Sequence, residues 1–244
     1  MAAPLLTDLH CHLIHGVDDG PRDIAHTQAM LRLAADNGVD TVCCTSHAMP
    51  SQKPFPLDVY EAHLDEAQAW ADREGLRIRL LPGSEIFMAR NLPDLLRDGA
   101  VPTLNGTSNV LLEFNPDTKR DPIFSAVRQL GNAGFTAVIA HAERYDGLRR
   151  MDDIAALRTD LGAVIQVNAG SILHPRTFFH KRWIRRLLSR GLCDIVASDA
   201  HDDHSRPCRM RAVYDLLVSE YGPDTADALC VRTPRMILGL DALP

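Results

Sequence analysis

The sequence predicts an α/β protein built as a distorted (β/α)7 TIM-like barrel, and three observations predict it. Short, nearly continuous apolar segments rich in β-branched residues alternate with longer segments of helical period, as parallel strands covered on both faces should. The strand ends recur roughly every 27 to 39 residues, the length of a strand-plus-helix unit. No Pro/Gly/Ser-rich linker or low-complexity tract interrupts the series, so residues 1–244 read as one domain. An open doubly wound sheet is the alternative arrangement of the same elements.

In chain order the predicted strands are Thr7–His12, Thr41–Ser46, Ile78–Glu85, Val110–Phe114, Thr136–His141, Val164–Asn168 and Asp194–Asp199. Each is followed by a segment of helical spacing. The clearest is Pro21–Asn37, where Pro21 suits a first turn, Ile24, Leu31 and Ala35 share a face, and Gly38 follows as a stop. Later in the chain, Phe179, Trp183 and Leu187 recur at helical spacing inside the basic run Arg176–Leu187. They read as a core stripe under a solvated charged face, and alternatively as a docking surface for an acidic, phosphorylated partner.

Composition narrows the function. Apolar residues make up 45% and charged residues 24% of the chain, which excludes disorder as the main theme. A formal charge of −6 argues against a surface made to cover nucleic acid. The segment Met1–Leu6 has no basic run and reaches Asp8 before a leader's apolar stretch is complete. No apolar run approaches the ~18 residues of a membrane span, so no membrane insertion and a cytoplasmic location are expected. Cys11, Cys43, Cys44, Cys193, Cys208 and Cys230 form no tight framework and read as packing residues in a reducing compartment.

Histidines and acids gather where the strands end: His10 and His12, His47, Glu85, Glu113, His141, and Asp199 with His201. In a parallel barrel those ends share one face, so separation in sequence is no obstacle to a common site. His10 and His12 are two apart, as are Asp199 and His201, so each pair can leave its strand on one side. Any one histidine alone is more simply a hydrogen-bonded, half-buried residue. Five imidazoles beside the carboxylates of Asp19, Glu85, Glu113 and Asp199 are too many to leave uncompensated, and cations are the simplest remedy. Nine donors exceed the needs of two ions, which makes three the better count. Their mixed nitrogen and oxygen chemistry suits Mn²⁺, Fe²⁺ or Zn²⁺ better than Ca²⁺. Arg144 and Arg206 lie in the loops just after His141 and His201 and can offer paired hydrogen bonds to a phosphate.

The segments Asp8–His12, Val17–Pro21, Thr45–His47, Leu81–Ile86, Leu112–Phe114, Val138–Tyr145 and Val196–His201 resemble the PHP (polymerase and histidinol phosphatase) superfamily. More narrowly, they are similar to its bacterial capsular-polysaccharide type, the manganese-dependent protein-tyrosine phosphatases. The resemblance runs from about residue 7 to about residue 238 in the family's order and spacing. It implies a PHP fold with three divalent ions, most often Mn²⁺. It also implies a substrate, the phosphotyrosine-bearing C-terminal tail of a bacterial tyrosine kinase that regulates capsule or exopolysaccharide production. Carried over by motif, His10, His12, Glu85 and Asp199 hold one ion. Glu85 bridges to a second held with Glu113 and His141, and Asp19, His47 and His201 hold the third. Asp18 or His15 could stand in for Asp19. Arg144 and Arg206 match the phosphate-binding, catalytic arginines. The Pro-rich loop Ala48–Pro56 departs from the pattern and bears on peptide specificity.

The expected reaction is hydrolysis of a phosphomonoester by a metal-bridging hydroxide. No cysteine stands six residues before an arginine, as a covalent phosphocysteine route requires. The alternatives are a phosphatase of a small metabolite such as histidinol phosphate, an amidohydrolase, for which no lysine sits at a predicted strand end, and a metal-bound phosphotyrosine-docking module without turnover.

Overall fold

A computed structural model describes residues 4–240; the first three residues of the N-terminal segment considered above lie outside that range. Seven parallel strands pair in strict chain order, from β1 to β7. They are β1 (Leu6–Cys11), β2 (Val39–Ala48), β3 (Arg79–Phe87), β4 (Asn109–Glu113), β5 (Thr136–Ile139), β6 (Val164–Asn168) and β7 (Ile195–Ala197). The sheet curls until its margins meet. A single parallel bridge, Cys11 with Ala200, joins them, with His12 N–H donating to Ala200 O and Asp199 N–H to His10 O, both at 2.8 Å. The seven-stranded barrel is therefore nearly closed, and its seam lies between the first and last strands.

The helices are α1 (Ile24–Asp36), α2 (Leu57–Arg73), α3 (Leu92–Arg97), α4 (Arg120–Asn132), α5 (Met151–Leu161), α6 (Ala169–Leu173), α7 (Phe178–Ser189), α8 (Met210–Tyr221), α9 (Pro223–Asp227) and α10 (Thr233–Ile237). Alternation along the strands sorts the core into two clusters. Cys43, Leu81, Leu111, Val138 and Ile195 fill the barrel. Their neighbours Val42, Leu80, Leu112, Ile139 and Val196 face the helices, against Leu31, Trp70, Ile123, Leu157 and Leu187. On β1 Leu9 joins the inner cluster although His10 and His12 reach the rim, and the register irregularity between Asp8 and Cys11 takes up that change of parity. At the opposite end Ile237 and Leu238 plug the barrel floor, their carbonyls accepting from the side-chain amides of Asn109 (2.7 Å) and Asn105 (2.8 Å).

The structure corrects several sequence expectations. Helix α1 begins at Ile24, because Asp23 is its cap and accepts from His26 N–H. Pro21 lies before the helix, with its carbonyl accepting from Gly16 N–H. The buried stripe of α1 is Thr27, Met30, Leu31 and Ala34, not Ile24, Leu31 and Ala35. In α7 Leu187 is buried and Trp183 packs partly against the core, but Phe179 is 79% exposed and takes no part in the stripe. No helix among the described residues is long and apolar enough to cross a membrane.

Candidate metal centre

The strands deliver their last residues to one rim. His10 comes from the end of β1 and His12 follows it, His47 comes from β2, Glu85 from β3 and Glu113 from β4. His141 follows β5, Asp199 and His201 follow β7, and Asp19 lies in the loop after β1. These nine side chains lie around one volume, arranged in three overlapping sets of donors.

In the first set His10 Nε2 and His12 Nε2 face each other at 3.3 Å. Glu85 Oε2 is 3.2 Å from each, and Asp199 Oδ1 is 3.4 and 3.6 Å away. In the second, Glu85 Oε1 is 2.7 Å and Glu113 Oε1 3.5 Å from His141 Nε2, while His47 Nδ1 reaches the Oε2 atoms of Glu85 and Glu113 at 3.2 and 3.4 Å. In the third, Asp19 Oδ1 stands 3.6 Å from His47 Nε2 and 3.4 Å from His201 Nε2. His47 therefore offers one ring nitrogen to each of two sets.

This donor set fits cations. His47 Nδ1, Glu85 Oε2 and His201 Nε2 are buried without a hydrogen-bond partner among the described residues, so lone pairs point into the shared space unspent. The outward ring nitrogens are occupied, which fixes which nitrogen faces inward. His10 Nδ1 meets Gln166 Oε1 at 3.2 Å, His12 Nδ1 meets Asp18 Oδ2 at 2.7 Å, His141 Nδ1 meets the Tyr145 hydroxyl at 3.1 Å, and His201 Nδ1 meets Asp199 O at 3.1 Å.

The electrostatics show the same crowding. Burial, and then the charge of Glu85, pushes the Glu113 carboxyl up to about 8. Glu85 goes the other way: against its burial, His10 and His141 hold it well below the usual carboxylate range. Burial, reinforced by His12, brings His47 down to about 4.

Asp18 and His15, the alternatives to Asp19, have other partners. The Asp18 carboxylate accepts from His12 Nδ1 and from the backbone N–H of His47 (2.7 Å) and Gly20 (3.0 Å). His15 turns aside and stacks on His63, ring centroids 3.9 Å apart and planes 10° from parallel. Gly20 lets the Asp18–Asp19 loop press onto β1: a Cβ there would lie 2.6 Å from His12 O.

Arg144 and Arg206 both reach the rim. Their guanidinium groups donate to Asp199 Oδ2 at 2.6 and 3.1 Å, while Oδ1 faces the two β1 histidines. Two residues with no part in the sequence reading belong to this centre. On β6, Gln166 Oε1 accepts from His141 N–H (2.7 Å) and meets His10 Nδ1. Its amide donates to Asn168 Oδ1 (2.8 Å), and Asn168 in turn donates to Asp199 Oδ2 (2.5 Å). The available signal was two amides, spaced two apart, in the otherwise apolar segment Val164–Asn168. The six cysteines are free and buried; burial pushes the thiols of Cys11, Cys44 and Cys193 well above their ordinary range.

A nearly closed parallel barrel with this rim of imidazoles and carboxylates defines the class, a barrel enzyme whose strand ends can hold metal ions. The family described as "Capsular polysaccharide synthesis, CpsB/CapC" matches residues 6–239, and the chain belongs to it. It is 31% identical over 238 residues to the "Tyrosine-protein phosphatase CpsB" of Streptococcus pneumoniae, covering 96% of this chain and 98% of that one. Similarity to the "Tyrosine-protein phosphatase YwqE" of Bacillus subtilis is 29% over 220 residues, 90% and 86% of the two chains. A crystal structure from work on YwqE from Bacillus subtilis and CpsB from Streptococcus pneumoniae, described as "unique metal-dependent tyrosine phosphatases", superposes with a TM-score of 0.87 at 26% identity, covering 97% of this chain and 96% of that one.

Proposed function

We propose that this chain is a metal-dependent protein-tyrosine phosphatase acting on the phosphotyrosine-bearing C-terminal tail of a bacterial tyrosine kinase that regulates capsule or exopolysaccharide production. The observation that carries the reading is the convergence of nine imidazole and carboxylate side chains, flanked by two arginines, in a chain of the CpsB/CapC family. We assign His10, His12, Glu85 and Asp199 to one divalent ion, Glu85, Glu113 and His141 to a second, and Asp19, His47 and His201 to a third. Mn²⁺ is the preferred metal, and Fe²⁺ or Zn²⁺ suit the same donors. When bound, such ions lower the pKa of water from 15.7 towards about 7 and offset the charge of a phosphate.

The chain's own residues do the rest. Arg144 and Arg206 bind phosphoryl oxygens, and Asp199 holds both guanidinium groups at the rim before substrate arrives. Asp18, Gln166 and Tyr145 fix the outward nitrogens of His12, His10 and His141. A departing tyrosine phenolate, with a parent pKa of about 10, needs little help from a general acid. The cysteines supply no nucleophile, because burial keeps those thiols protonated. Lys53, Lys119 and Lys181 all lie away from the strand ends, which disfavours the amidohydrolase reading. We read the chain as one catalytic domain, and its six free thiols suit the cytoplasm.

The test is hydrolysis by the Mn²⁺-loaded protein of a phosphotyrosine peptide, histidinol phosphate and a phosphoserine peptide, with and without chelator. Release of phosphate from the phosphotyrosine peptide foremost, abolished by chelator and spared by iodoacetamide, is expected. Inactivation by alkylation in the presence of Mn²⁺, or preference for histidinol phosphate, overturns the assignment.

A further inference from the structure

The rim opens on one side into a basic cleft that extends beyond the residues assigned to the reaction. A cavity of about 300 Å³ reaches Asp199 between Arg144 and Arg206 and extends to Arg176. The same three arginines line an adjoining cavity of about 540 Å³, which adds Arg149, Thr177 and His180. The two share a wall made by Arg144, Ser171, Arg176 and Arg206, and side by side they extend from the candidate metal centre to the first turn of α7, a span suited to an extended ligand segment.

Its charge is unusual for this protein. The chain carries a net charge of −6, yet five arginines line this groove, Arg144, Arg149, Arg176, Arg206 and Arg209. Arg144 and Arg206 are engaged by Asp199. Arg149 is partly matched by Asp146 at 3.0 Å. Arg176 is exposed and makes no ion pair among the described residues. The N-terminus of the twelve-residue α7, capped by Thr177, faces the same groove and adds its partial positive charge. Two acids line it: Asp199, engaged by Arg144 and Arg206, and Glu143, which is 2% exposed, gives one oxygen to Asn168 N–H at 3.3 Å and has no hydrogen-bond partner for the other among the described residues. Farther along α7, Arg185 is paired with Glu220 at 3.1 Å and lines a separate depression, so the basic run is divided and only its beginning borders the rim.

We propose that Arg149 and Arg176 form an acidic-peptide subsite, binding Asp or Glu side chains that flank the phosphotyrosine on the substrate chain. The proposal rests on the phosphatase reading and specifies which phosphotyrosines it favours. The phosphate is held between Arg144 and Arg206, and a carboxylate a few residues along the peptide meets Arg176 and Arg149. Charge complementarity of this kind acts on encounter and on KM more than on the chemical step.

The experiment compares three phosphotyrosine peptides, identical except that flanking positions carry Glu, Gln or Lys, with p-nitrophenyl phosphate as a substrate lacking any flank. All are assayed on the Mn²⁺-loaded full chain. The expected result is a kcat/KM about tenfold higher for the Glu peptide than for the Gln peptide, carried by KM and eroded by salt. The double variant R149E/R176E should invert the order to Lys over Glu while its melting temperature and its turnover of p-nitrophenyl phosphate match the parent. Equal use of the three peptides by the parent overturns the subsite alone. So does a double variant that keeps the Glu preference or loses p-nitrophenyl phosphate turnover in step with the peptides. If no phosphotyrosine compound is hydrolysed, the phosphatase reading falls and the subsite with it.

Discussion

At the scale of single residues, two of the candidate ligands stand in backbone conformations that their types rarely adopt. His141 has φ 33° and Asp199 φ 53°, both in the left-handed region. Such strain costs on the order of 1–3 kcal/mol per residue and persists where surrounding contacts over-determine it. Here those contacts are Gln166 Oε1 on His141 N–H, and Asn168, Arg144 and Arg206 on the Asp199 carboxylate. Gln166 therefore ties two ligands at once. Gln166→Leu leaves a buried N–H and an imidazole nitrogen unpaired, and should cost about 1–3 kcal/mol of stability and about 10–100-fold in metal affinity. Calorimetric metal titration and thermal melting of the same variant check it; an unchanged affinity would remove Gln166 from the centre. The candidate ligands were legible in the sequence because histidine and acid are uncommon at the ends of apolar strands. Gln166 and Asn168 were not read, since a neutral amide carries no comparable mark until its partners are in place.

At the scale of elements, strand existence was legible and strand ends were not. The apolar runs located all seven strands, but His12, His141 and Asp199 lie just past β1, β5 and β7, where the chain leaves the ladder to aim side chains inward. The start of α1 was misplaced for a related reason. Pro21 has the right φ for a first turn, but its carbonyl serves Gly16, and Asp23 supplies the cap instead. Helix ends with unambiguous geometry allow a prediction away from the rim. Helix α5 closes on Gly162 at φ 68°, whose N–H donates to Arg158 O, and a Cβ there would meet no neighbour. Gly162→Ala should thus cost about 1 kcal/mol through backbone strain alone, seen as a lowered melting temperature with kcat and metal content unchanged. Helix α7 shows the limit of reading spacing: Phe179 sits in register with Trp183 and Leu187, yet it precedes the point where α7 meets the barrel and remains in solvent.

At the scale of the molecule, the seam carries only an isolated bridge in place of a strand ladder, with two backbone hydrogen bonds, supplemented by Ser198 N–H donating to Asp8 Oδ1 (2.9 Å) and the Ser198 hydroxyl to His10 O (3.3 Å). The first donor set spans that seam, His10 and His12 from one margin and Asp199 from the other. Ions bound there would tie the margins together, and ligand binding to the folded state raises stability by mass action. Chelation should therefore lower the melting temperature, and in hydrogen exchange the amides of His12 and Asp199 should lose protection before those of β3 and β4. Uniform loss along all strands would refute a weak seam. Closure itself was not readable from the sequence, because an open sheet uses the same alternation of elements; it depends on the late bridge of Ala200 to Cys11 and on Ile237 and Leu238 in the floor.

The placement of that seam also has a consequence for biosynthesis. A chain emerging from the ribosome presents His10 and His12 well before Asp199 and His201, so for much of translation the two margins of the rim do not coexist. Only docking of the last strand completes the cage. The first donor set can therefore be assembled only once the final strand has been made and has closed the seam.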